Sequence, residues 1–161
     1  MFSSEFVIKE YRVHKVILRN RSPVFHSMLK HDMKEKNQGE INISDCDPHI
    51  FRDFLLYLYT GKLNSMSKEI VFDLYYISVK YEVEDLKLDC LDFILDNIDI
   101  NVICHVVTLA TRHFEHELLK KATQFFVDNA KAIVLTVNWQ KFIKEYPIQA
   151  NEFIIKAFHS D

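Results

Sequence analysis

In Tyr11-Arg12-Val13-His14-Lys15-Val16-Ile17-Leu18-Arg19-Asn20-Arg21-Ser22-Pro23-Val24-Phe25 the side-chain period changes from that of a strand to that of a helix. Residues 6–14 are short, β-prone and partly alternating, which predicts one strand or a tight pair. Val16-Ile17-Leu18 opens a helical pattern that stops near Arg21. Ser22-Pro23 then starts a second helix, with a serine to cap the free amides and a proline at the first helical position. Its apolar stripe is Val24, Phe25, Met28 and Leu29.

Outward from this stretch, residues 34–39 read as a polar loop, and Glu40-Ile41-Asn42-Ile43-Ser44 alternates like a strand. Asp47-Pro48 repeats the cap-and-proline signal, and Ile50, Phe51, Phe54, Leu55 and Leu58 follow at helical spacing. Gly61 is placed to end that helix in a left-handed conformation. Residues 70–79 are apolar nearly all round, as in a central helix, and Val83, Leu86, Leu88, Leu91, Phe93, Ile94 and Leu95 mark another. A domain boundary is expected beyond Asn97-Ile98-Asp99. After it, Asn101 is expected to cap a helix carrying Val102, Ile103, Val106, Val107 and Leu109. Further helices follow on Leu118, Ala122, Phe125 and Phe126, around Ile133-Val134-Leu135, around Trp139-Phe142-Ile143, and after Pro147.

Composition narrows the functional classes. The 161 residues are 48% hydrophobic with 13 Phe and 7 Tyr, enough for a dense core without disulfides or metals. A formal net charge of −3 argues against a broad nucleic-acid footprint. No apolar run approaches the length of a membrane span, and Met1-Phe2-Ser3-Ser4-Glu5 lacks the regions of a signal peptide. Cys46, Cys90 and Cys104 are odd in number and widely spaced, which fits ordinary thiols in the nucleus or cytoplasm. The chain has two glycines, Gly39 and Gly61. A dinucleotide fingerprint, a phosphate loop and a nucleophile elbow each need at least two close together, so none can be written.

Three blocks in order carry a family resemblance: Tyr11 to Leu18, then Arg21-Ser22-Pro23-Val24-Phe25, then Phe51 through Tyr57-Leu58-Tyr59-Thr60-Gly61, continued by Lys80-Tyr81, Leu86 and Cys90. Together they resemble the signature of a BTB/POZ domain. The later half, with Leu109-Ala110, His113, Leu118, Lys120, Asn138-Trp139 and Tyr146-Pro147, is similar to the helical tail of the speckle-type POZ (MATH-BTB) family. The resemblance implies an α+β architecture. Residues 1–98 would be an N-terminally shortened BTB/POZ domain, a short sheet with a helical cluster. Residues 99–161 would be an all-α, BACK-like box. It also implies a substrate adaptor of a cullin-3 ubiquitin ligase, whose partners are the cullin-3 N-terminal region and itself or another BTB chain. The runner-up is homotypic assembly or co-repressor recruitment without a cullin.

The family's cullin-binding pattern is an apolar residue, any residue, then glutamate, in the loop after the second helix; Met33-Lys34-Glu35 matches it. Ile17 matches a dimer-interface position, and the last helix, with Ile154 beside Phe153 and Phe158, offers a second self-association surface. The family's N-terminal helix and its separate substrate-capturing MATH domain have no counterpart in these residues.

Other residues read as structural. His113 and His116 lack two further ligands at metal spacing. His14 sits at a strand-to-helix corner as a histidine bonded to backbone. Ser22 is explained by capping, Cys90 by packing, and Trp139 as a core anchor. Glu82, Glu84 and Asp85 sit at a helix start, where the helix dipole favours them. The expectation is therefore no catalytic site, metal, cofactor, small-molecule substrate, nucleic acid or membrane.

Overall fold

The computed structural model describes residues 10–30, 40–63 and 65–158. In chain order these form α1 (Lys15–Arg21), α2 (Pro23–Lys30), α3 (Pro48–Thr60), α4 (Val71–Lys80), α5 (Glu84–Asp96), α6 (Ile103–Arg112), α7 (His116–Ile133), α8 (Val137–Glu145) and α9 (Pro147–Phe158). The chain divides into two compact units, Met1–Phe93 and Ile94–Asp161.

The expected α+β architecture with a short sheet is overturned, because no strand is present among the described residues and the structure is mostly helical. The expected alternation is nonetheless real. In residues 10–14, Tyr11 and Val13 are half-buried between exposed Glu10, Arg12 and His14, and in residues 40–44, Ile41 and Ile43 alternate with exposed Asn42 and Ser44. What these segments lack is a ladder. The main-chain N–H of His14 donates to the Tyr59 hydroxyl (2.7 Å) instead of to a neighbouring strand. Tyr11 likewise turns to α3, donating its hydroxyl to the carbonyl of Pro48 (2.6 Å) with its ring 6.2 Å from that of Phe51. Alternation reports which side chains face a core; pairing needs a second strand in register, and periodicity cannot supply that.

The first unit packs around aromatic rings. Tyr81, at the end of α4, stacks on Phe25 of α2 at 4.5 Å and lies 5.3 Å from Phe54 of α3, which sits 5.9 Å from Phe51. Phe25, Phe54 and Tyr81 are each at most 1% exposed. α4 is nearly submerged, with Val71, Phe72, Leu74, Tyr75, Ile77 and Ser78 all buried. The second unit buries Ile103, Val106, Val107, Leu109 and Ala110 of α6 together with Leu118, Ala122 and Phe126 of α7. Trp139 of α8 lies 4.9 Å from Phe126, which makes an edge contact with Phe153 of α9 at 5.2 Å.

Helix ends follow the capping signals with one exception. Ser22 Oγ accepts from Phe25 N–H (3.2 Å), and Asp47 Oδ1 accepts from His49 (2.7 Å) and Ile50 (3.4 Å). Gly61 ends α3 at φ +67°, its N–H on the Tyr57 carbonyl. Asn101 does not cap α6. The Asp99 carboxylate accepts from Asn101 and Val102 instead, and the Asn101 carbonyl receives the Asn138 amide (2.8 Å). α7 is broken by a kink at Asn129 (φ −122°, ψ 15°), and the short helical piece after it ends at Ile133, with Val134-Leu135 in the turn that follows.

Candidate protein-interaction site

In the first unit one buried serine joins the second sequence block to Tyr81 in the continuation of the third. Ser22 is 1% exposed, and its hydroxyl donates to the Tyr81 carbonyl at 2.6 Å while capping α2. One oxygen thus locks the start of α2 to the end of α4, 59 residues away in sequence. Tyr57, 2% exposed, reaches across to α5 and donates its hydroxyl to Asp89 (2.9 Å). Burial first, and this bond to a carboxylate second, hold the Tyr57 phenol well above its usual range. Near Gly61, a side chain at that position would meet the Arg21 guanidinium at 3.6 Å, so the end of α1 and the end of α3 lie together.

These contacts set the exposed face at the start of α1. The Tyr59 hydroxyl, besides accepting the His14 main-chain N–H, lies 3.0 Å from His14 Nδ1, and the two rings are 6.0 Å apart. His14 is the residue before α1, so this junction pins the first turn of α1 to the last turn of α3. Val16 in that turn is 62% exposed and Tyr59 is 40% exposed. Ile17 is half-buried, next to buried Leu18. An apolar face with a tyrosine at its edge suits protein contact, because an aromatic ring adds large area at low entropic cost and its hydroxyl tolerates the wet rim.

In the second unit α9 is apolar on two sides. Ala150 and Phe153 are buried, while Ile148, Ile155 and Phe158 are 73%, 48% and 78% exposed. Ile154 is half-buried between the two. The structure therefore puts Ile17 and Ile154 at the margins of exposed apolar faces in different units. Met33, Lys34 and Glu35 lie outside the described residues.

Burial pushes the thiols of Cys46 and Cys104 up to about 11 and that of Cys90 up to about 12, with nearby Asp47 and Asp45 adding to the effect at Cys46. Thiols so placed are poor nucleophiles at neutral pH. No cluster of three or more His, Cys, Asp or Glu side chains set to hold a metal occurs among the described residues.

The sequence reading missed the Ser22–Tyr81, Tyr57–Asp89 and His14–Tyr59 bonds. Each joins residues that no local pattern relates, and the one signal available was that all of them except Asp89 fall within the three ordered blocks and their continuation.

Comparison with known proteins agrees with this convergence. A family model described as BTB/POZ domain matches residues 5–98. The chain is 31% identical to mouse TD and POZ domain-containing protein 4 over 152 residues, covering 94% of the chain and 40% of that protein. It is 32% identical to mouse TD and POZ domain-containing protein 5 over 139 residues, covering 86% of the chain and 41% of that protein. The chain thus spans about two fifths of the length of these relatives. BTB/POZ domains mediate protein–protein interaction and self-association. With the signature blocks packed as one core and the family model spanning them, the chain belongs to the BTB/POZ domain family.

Proposed function

We propose that this chain is the BTB domain, with trailing helices, of an adaptor that brings clients to a cullin-3 ubiquitin ligase. The observation that carries the reading is Met33-Lys34-Glu35, which follows α2 within a family of protein-interaction domains, where the resemblance puts the cullin contact. A methionine is flexible and polarizable enough to fill an irregular cleft. A carboxylate two residues on adds a charged contact that favours one orientation. Residues 99–161 extend this contact as a BACK-like box, and the finer likeness to the speckle-type POZ family supports that role. Its shared positions Trp139 and Tyr146 flank Phe142 in one aromatic run, at 5.5 and 5.3 Å. The module works by binding, in the nucleus or cytoplasm, and catalyses no step itself. Its three cysteines are free thiols, as a reducing compartment would keep them.

Calorimetric titration with the cullin-3 N-terminal region tests the reading. Met33→Ala and Glu35→Ala should each weaken binding by about tenfold or more, with an unchanged circular-dichroism spectrum. Unaltered affinity in both variants overturns it. The exposed Val16 and Tyr59 at the α1–α3 junction favour a second reading, homotypic assembly that recruits a co-repressor without a cullin. Self-association without any cullin-3 binding would select that one.

A further inference from the structure

Most hydroxyls of the described residues are engaged inside the fold. Ser22 and Ser78 are buried and donate to carbonyls, as do Thr60, Thr108, Thr123 and Thr136. Ser67 is tied to the Glu69 carboxylate. Ser44 differs. It is exposed, lies in the non-helical segment before α3, and its hydroxyl engages none of the described residues. Asp45 and Asp47 follow at the first and third positions after it. Ser65 is also exposed and non-helical, but its third following residue is Lys68.

We propose that Ser44 is a phosphorylation site for an acid-directed serine kinase, and that the phosphate loosens the segment that Asp45 ties to α4. Such a kinase reads carboxylates just after the serine through a basic groove. Asp47 caps α3 through Oδ1, which leaves Oδ2 for recognition. In the transfer, a bond forms between Ser44 Oγ and the γ-phosphorus of ATP as the bond from that phosphorus to the β,γ-bridging oxygen breaks. The hydroxyl proton passes to the kinase's catalytic carboxylate, and ADP leaves.

The charge already present sets the consequence. Asp45 Oδ2 pairs with Lys80 Nζ at 2.5 Å, which holds the segment to the end of α4. The carboxylates of Asp45, Asp47 and Asp73 act on Cys46 in one direction and the ammonium of Lys80 in the other. A phosphate adds about −1.5 to −2 charges beside them. It competes with Asp45 for Lys80 and repels the remaining carboxylates, and half-buried Ile41 and Ile43 lose the tether behind them.

The test is incubation of the full chain with ATP and an acid-directed serine kinase, read by mass spectrometry. One phosphate is expected on Ser44, lost in Ser44→Ala and unchanged in Ser65→Ala. Asp47→Asn should slow incorporation several-fold while keeping the cap, since asparagine caps helices as well as aspartate does. No incorporation in the wild type, or undiminished incorporation in Ser44→Ala, overturns the site. The phosphorylated chain should also melt at a lower temperature than the unmodified one, and an unchanged or raised midpoint overturns the loosening.

Discussion

Single residues carry much of the first unit's architecture, and Ser22 carries most per atom. Its oxygen both donates to the Tyr81 carbonyl and accepts the Phe25 N–H, in a site with almost no solvent access. Replacing it with alanine strands a buried carbonyl and uncaps α2. Ser22→Ala is expected to lower stability by about 1–3 kcal/mol, measured by urea unfolding; a smaller loss would mean that water replaces the hydroxyl. Lys80 and Asp45 are a pair of another kind, exposed and open to salt screening. Their bond holds the Asp45 carboxyl below its usual range and the Lys80 ammonium above its own. The depressed Asp45 contributes at neutral pH and loses that contribution as acid protonates it. The raised Lys80 contributes at neutral pH and loses its share as alkali deprotonates it. Lys80→Met should therefore narrow the gap in melting midpoint between pH 7 and pH 3, and low salt should widen it in the wild type. An unchanged gap would show that the pair contributes nothing.

At the scale of elements, helix termination shows where sequence reading succeeds and where it stops. Gly61, at φ +67°, was legible because glycine announces a left-handed cap. Two equivalent ends were not. Glu82 (φ 53°) and Phe114 (φ 57°) hold the same conformation, with Val83 N–H on the Ser78 carbonyl (2.8 Å) and Glu115 N–H on the Ala110 carbonyl (2.9 Å). These are the long-range bonds of the Schellman motif, built in a chain with almost no glycine to offer. A side chain in that region costs about 1–2 kcal/mol, partly offset by the stiffer unfolded chain. Phe114 is 77% exposed, so little packing is lost with its ring. Phe114→Gly is expected to stabilise the fold by about 0.5–1 kcal/mol and Gly61→Ala to destabilise it by about 1 kcal/mol, both read from denaturant midpoints. A destabilised Phe114→Gly would mean that the ring makes contacts beyond those of its turn. The two expected strands failed for a different reason. Over the described residues 10–14 and 40–44 their alternation was correct, but Tyr11 and His14 turn their polar groups to α3, and no residue within the segments signals that choice.

Across the whole molecule, the family was legible because three blocks in order are also three pieces of one core: Tyr11 and His14 meet Phe51 and Tyr59, and Phe25 meets Phe54 and Tyr81. The exposed apolar faces were legible only in part. Ile17 was expected by resemblance, and Ile154 and Phe158 from the apolar last helix, whereas Val16, Tyr59, Ile148 and Ile155 are evident from exposure alone. Periodicity counts a helix's apolar residues but cannot say which side finds a neighbour, and α9 has them on two sides. A chain with such a face in each of two units should associate through either of them. Sedimentation velocity is expected to show a dimer at micromolar concentration that gives way to monomer on dilution. Val16→Glu and Ile155→Glu place a charge on each exposed face in turn without touching a buried side chain, so both variants should remain folded. If both faces self-associate, each single change should weaken the dimer about tenfold or more, and the double variant should be monomeric throughout. A monomeric wild type at high micromolar concentration would remove self-association from the function. A dimer that survives both changes would move it to other surfaces.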